Sequence, residues 1–215
     1  MDRPVLHALC LLALAWASPA FAGTVEISVT DTTGKPAANA VVELVAQTHS
    51  DAVSHLPEEA IIDQRDETFI PLVSLIRQGG HVVFTNHDTT MHQVYSFSPI
   101  KQFAFEIDEG QRSQPVVFDK AGVSSIGCNI HDQMVTFVYV AASPWAAITD
   151  AQGHATIADM PEGTYRAMIW HPQLMPGRTP PPATLSVGNG ATKFTRVLSL
   201  LPGELGKKPM HMQMY

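Results

Sequence analysis

Cysteine is nearly absent from this 215-residue chain. Of the two it has, Cys10 lies in an apolar N-terminal stretch that ends in Ala20-Phe21-Ala22, small residues at both positions read by a signal peptidase. Residues 1–22 therefore read as a cleavable leader, and the mature chain is expected to be exported, to the periplasm. Only Cys128 is left, so an internal disulfide is excluded. Clustered cations are missing too: 13 Lys and Arg are scattered among 20 Asp and Glu, for a net charge of −7. Phosphate backbones need grouped Lys and Arg, which excludes nucleic acid as a partner. After the leader no apolar run is long enough to cross a bilayer, so membrane insertion is not expected. Long amphipathic helical periodicity is absent. So are a Gly-x-Ser-x-Gly elbow, a phosphate-cradling glycine loop and a His-Glu-x-x-His pair, and the chain is not expected to be an enzyme.

What remains is strand and turn. Residues 24–29, 41–45, 69–73 and 155–158 alternate polar and apolar positions, while 81–85, 93–97, 115–118, 123–128 and 135–140 form a closely spaced series of short strands. Asp31-Thr32-Thr33-Gly34 and Asp150-Ala151-Gln152-Gly153 read as turns, and residues 50–59 as either a loop or a short helical turn. The fold class is all-β, built as sandwiches.

A lone cysteine in an exported protein is exposed to oxidation unless something occupies it. Cys128 stands three residues before His131 and six before Met134. Thiolate, imidazole and thioether are soft ligands that select copper, and blue-copper centres place two His and one Cys around the ion with a long axial Met. A second histidine is needed from elsewhere, and His92 in Met91-His92-Gln93-Val94 is the best placed. The predicted metal ligands are thus His92, Cys128, His131 and Met134, holding one mononuclear copper. Met91 adjoins His92 but points to the opposite face of a strand. His87 is a weaker candidate, and His81, His154 and His171 take surface or hydrogen-bonding roles. Glu58, Glu59 and the acids of 63–67 are read as solvated turns.

Asn86-His87-Asp88-Thr89-Thr90-Met91-His92-Gln93-Val94 together with Gly127-Cys128-Asn129-Ile130-His131-Asp132-Gln133-Met134 resembles the cupredoxin family, plastocyanin-like and amicyanin-like proteins in particular. His92 to Pro99 and Cys128 to Asp132 are closer still to exported cupredoxin-like proteins labelled methylamine utilization proteins. The resemblance implies a Greek-key sandwich over residues 60–142 and transfer of single electrons between redox partners, in methylamine or related amine oxidation. The alternative is copper binding and delivery without an electron-transfer role. Asp132 and Gln133 depart from the family, which has proline and an apolar residue there, so the exposed side of the loop is polar. Residues 29–44, and 149–157 with 160–165, resemble the two parts of a carboxypeptidase-regulatory-like or transthyretin-like sandwich. The implied organisation is one small sandwich split over 23–59 and 143–200, the copper unit inserted between its parts, and a Met- and His-containing tail at 201–215. A monomer meeting an unidentified redox partner protein is expected.

Overall fold

The structure, a computed structural model, describes residues 22–48, 52–175, 178–203 and 205–206. Residues 1–21 of the predicted leader, and residues 204 and 207–215 of the tail, lie outside the described residues. The strands are β1 (Gly23–Asp31), β2 (Val41–Ala46), β3 (Glu59–Arg65), β4 (Thr68–Ile70), β5 (Val73–Arg77), β6 (His81–Asn86), β7 (His92–Ser98) and β8 (Lys101–Ile107). They continue with β9 (Val116–Val117), β10 (Gly122–Cys128), β11 (Val135–Ala141), β12 (Ala146–Ile148), β13 (His154–Met160), β14 (Gly163–Trp170), β15 (Ala183–Val187) and β16 (Ala191–Leu198). The fold is all-β, and among the described residues no helix is long and apolar enough to cross a membrane.

Four sheets form. Two combine the ends of the chain, in the orders β13-β1-β16 and β12-β2-β14-β15. The other two use only its middle, in the orders β5-β11-β10-β7-β8 and β4-β3-β6-β9. Alternation places the side chains: in β1, Val25, Ile27 and Val29 are buried while Thr24, Glu26 and Ser28 face outward. With Leu44, Ile157, Tyr165, Phe194 and Leu198 they make one core. Each fully buried aliphatic side chain contributes about 1.5–3 kcal/mol of transfer free energy. A second core holds Ile62, Phe84, Val94, Phe118, Ile126 and Val138, and it includes Cys128 and Met134. A third joins the two pairs of sheets through Val41, Val73, Tyr139, Ala141 and Ala146, with the Trp170 ring 6.0 Å from that of Tyr139.

Both expected turns are closed by their aspartates. Asp31 accepts hydrogen bonds from the backbone N–H of Thr33 and Lys35, and Asp150 from those of Gln152 and His154. Gly153 is required in the second: its φ is +74°, and a Cβ there would stand 2.3 Å from the Val29 carbonyl oxygen.

Two expectations change and one open alternative closes. The single strand over 69–73 is two, because Pro71 has no N–H to give a ladder; β4 ends at Ile70 and β5 starts at Val73 in a different sheet. The acids of 63–67 are more than solvated turns. Asp63 lies in β3 and accepts from Thr85 at 2.7 Å, and only Asp66 and Glu67 form the connection to β4. Residues 52–58 are irregular, so the loop alternative holds there.

Candidate metal centre

Three neighbouring strands bring the predicted residues together. β7 opens with His92, β10 ends with Cys128, and β11 begins just after Met134. Cys128 pairs with Val94 and Gly127 with Tyr95, which sets His92 and Cys128 on the same inward face two residues apart in register. Gly127 admits this pairing closely: a Cβ there would meet the Tyr95 ring at 2.9 Å. The loop from Asn129 to Met134 is held at both ends. Asn129 donates its N–H to the Gln93 carbonyl and its side-chain amide to Gln93 Oε1, while Met134 N–H donates to the His131 carbonyl at 3.0 Å.

His92, Cys128 and His131 each present a donor atom, all within 4.8 Å of one another. Cys128 Sγ lies 3.6 Å from His92 Nδ1, and the His92 and His131 rings have centroids 5.2 Å apart. Ligand atoms about 2.1 and 2.3 Å from a shared ion at 110–120° stand about 3.6–3.8 Å apart, so the S–N separation suits a common ion. His92 is wholly buried, Cys128 is 4% exposed and Met134 1%. His131 Nδ1 is buried without a hydrogen-bond partner among the described residues. An unpaired buried nitrogen costs about 1–3 kcal/mol, and a metal ion satisfies it. Softness, spacing and this orphaned nitrogen all fit copper.

The far side of His92 is equally ordered. Its Nε2–H donates to Asp88 Oδ2 at 2.8 Å, which leaves Nδ1 as the lone-pair nitrogen facing the sulfur. Burial pushes the Asp88 carboxyl up. Hydrogen bonds from His92 and from the backbone N–H of Glu67 and Asp66 outweigh it, and hold the group below the ordinary carboxylate range. Asn86, 1% exposed, shapes the turn between β6 and β7: its amide donates to the carbonyls of Thr90 and Ile107, and its Oδ1 accepts from Asp88 N–H. Asp88 was not singled out as a functional residue in the sequence. A carboxylate four residues before a candidate ligand histidine, in a turn, was the available signal.

The other histidines fall elsewhere. His87 is 54% exposed and bonds Asp63, away from the cluster. Met91 is 38% exposed where His92 is buried, so the two do face opposite ways. His81 bonds Glu59 at the surface, and His171 is buried among backbone groups of the terminal sheets. Asp132 is exposed, and the Gln133 amide donates to Glu67 Oε2 at 3.2 Å.

No protein-family model matches this chain, and no curated protein does. Among solved structures, a purple cupredoxin from Nitrosopumilus maritimus is 26% identical over 38% of this chain and 99% of its own, with a TM-score of 0.34. Amicyanin from Paracoccus versutus is 22% identical over 46% of this chain and 92% of its own, also at 0.34. A copper-containing nitrite reductase from Thermus scotoductus is 22% identical over 44% of this chain and 25% of its own, at 0.36.

Proposed function

We propose that the protein is an exported carrier of single electrons, in which His92, Cys128, His131 and Met134 hold one copper ion. The observation that carries the reading is the cluster of three donor atoms within 4.8 Å, one of whose residues has a buried, unpartnered ring nitrogen. Copper would supply a one-electron couple, Cu(II) taking one electron to become Cu(I). The protein's own residues do the rest. β10 and β11 pair residue by residue from Gly122 to Gly127, which fixes both ends of the ligand loop. Met134 and Cys128 belong to a packed core, so the ligands have little room to rearrange between oxidation states. His131 is only half-buried, which gives a redox partner protein its approach to the ion.

In this reading residues 60–142 are the copper unit, inserted into a sandwich made of 23–59 and 143–200. Support comes from the sheets, since every partner of β3 to β11 lies between β3 and β11. In this reading the compartment is the periplasm, reached through the leader read in residues 1–22, and the resemblance to methylamine utilization proteins favours methylamine or related amine oxidation as the pathway, with the redox partner protein itself unidentified. The test is spectroscopic. The copper(II)-loaded protein has an intense visible thiolate-to-copper band and a narrow copper hyperfine splitting, and Cys128→Ser loses both. A colourless Cu(II) protein with the wide splitting of an ordinary cupric site overturns the reading.

A further inference from the structure

The turn between β3 and β4 is unusual for what it contains. Asp66 and Glu67 both adopt positive φ, at 53° and 54°. Two left-handed residues in a two-residue hairpin connection make a mirror-image turn, which ordinarily takes Asn-Gly, Asp-Gly or Gly-Gly; Asp66 suits its first position, and Glu67 stands where glycine is the rule. A turn needed only to reverse the chain would be better served by glycine. Strained backbone of this kind persists where its surroundings hold it, and it clusters where it does work.

Here the surroundings are the carboxylate of Asp88. The N–H groups of Asp66 and Glu67 point to one side and converge on it, Asp66 on Oδ1 and Glu67 on Oδ2 at 3.0 Å. Successive backbone N–H groups in such a conformation form a concavity for an anion. The same Oδ2 accepts from Nε2 of His92, and the Asp88 side chain is only 12% exposed. The turn also reaches the other ligand-bearing segment, through the bond from Gln133 to Glu67. One surface turn is thus tied to both segments that supply the cluster.

The geometry points to the β3–β4 turn, acting through Asp88, as a positioning device that fixes the tautomer and orientation of His92 and biases the bound ion toward its oxidised state. The inference rests on the copper reading for its redox half and on the protein alone for the rest. A carboxylate on the remote nitrogen of a metal-bound imidazole makes the ligand more basic. Added negative charge near the ion stabilises Cu(II) over Cu(I), which lowers the reduction potential.

The test uses the full chain, without and with copper, and three variants: Asp88→Asn, Asp66→Val and Asp66→Gly. The last two remove the same charge, but only glycine tolerates the positive φ. In the metal-free protein, nitrogen-15 NMR shows a slowly exchanging Nε2–H on His92. Its exchange is at least tenfold faster in Asp88→Asn and Asp66→Val, and stays within twofold of the parent in Asp66→Gly. With copper bound, Asp88→Asn lowers the Cu(II)-to-Cu(I) affinity ratio at least tenfold, a rise in potential of about 59 mV for a one-electron couple. Unchanged exchange in both Asp88→Asn and Asp66→Val overturns the inference whatever copper does, and an unchanged potential overturns its redox half. Failure to bind copper with the exchange effect intact supports positioning and overturns the copper reading instead.

Discussion

Replacing Glu43 by alanine should destabilise the protein far more than replacing it by glutamine. Glu43 lies in β2, is 3% exposed, and accepts three hydrogen bonds from the far end of β11 and the segment after it: Tyr139 OH at 2.7 Å, Ala142 N–H at 2.9 Å and Ser143 N–H at 2.7 Å. Burial, together with the Glu43 carboxylate, pushes the Tyr139 phenol above its ordinary range, so its proton stays in place as the donor. Alanine leaves two buried donors, Tyr139 OH and Ser143 N–H, without an acceptor, together with the part-buried Ala142 N–H, and each buried orphan costs about 1–3 kcal/mol. Water entering the space recovers part of this, so the expected loss is about 4 kcal/mol. For a chain of this size that lowers Tm by about 8–16 °C. Glutamine keeps one oxygen for the two backbone N–H groups and turns its amide to the Tyr139 hydroxyl, which can accept, so its cost is about 1 kcal/mol. Urea unfolding followed by far-ultraviolet circular dichroism and by tryptophan fluorescence measures both, because Trp170 lies against Phe137 and Tyr139 at the same junction. A double-mutant cycle with Tyr139→Phe should return a coupling of about 1 kcal/mol. If Glu43→Ala and Glu43→Gln are equally stable, the carboxylate does not hold this junction and the reasoning fails.

Two further outcomes follow from buried groups. His171 donates Nε2–H to the Ala38 carbonyl and accepts Gln173 N–H on Nδ1, a neutral arrangement that a second ring proton breaks; burial, only partly offset by the Ala38 bond, lowers its pKa from 6.5. A lowered histidine pKa means that the unfolded chain binds more protons, so stability is full above pH 6.5 and declines as pH falls below it, until the folded pKa is passed. Urea midpoints from pH 7.5 to 5 should show this decline, and His171→Gln should flatten it; an equal slope in the variant refutes the assignment. Gly153→Ala combines a left-handed backbone with a clash on the Val29 carbonyl, and should cost about 2–4 kcal/mol in the same assay. A loss under 0.5 kcal/mol would show that the turn relaxes freely.

His92, Cys128, His131 and Met134 could be named as candidate ligands from the sequence because three of them share a seven-residue loop whose spacing carries its own chemistry. The structure brings His92, Cys128 and His131 into one cluster, with Met134 buried in the adjoining core. The strands with clean alternation, such as β1, were readable for a similar reason. β3 was not, because its inward positions are Ala60, Ile62 and Gln64, and the polar Gln64 breaks the pattern while Ile61 faces solvent. Gln64 is accommodated by a bond from its amide to the Thr85 carbonyl, a partner 21 residues away. Asp88 was hidden by the same kind of distance. Its two backbone donors sit 21 and 22 residues earlier, in a turn, Asp66-Glu67, that has no glycine to announce its left-handed conformation.

The parallel pairing of β1 with β16 sets Thr24 against Ala191 and Asp31 against Leu198. Almost the whole chain must therefore be in place before the first strand has both neighbours, and contacts of such long sequence separation form slowly. The middle of the chain has no such wait, since β3 to β11 find all their partners among themselves. In time, then, the order of assembly runs from the inside of the sequence outward. The cluster at His92, Cys128 and His131 can be complete while β1 and β2 still have open edges, and unpaired edges are where an incomplete chain is prone to aggregate.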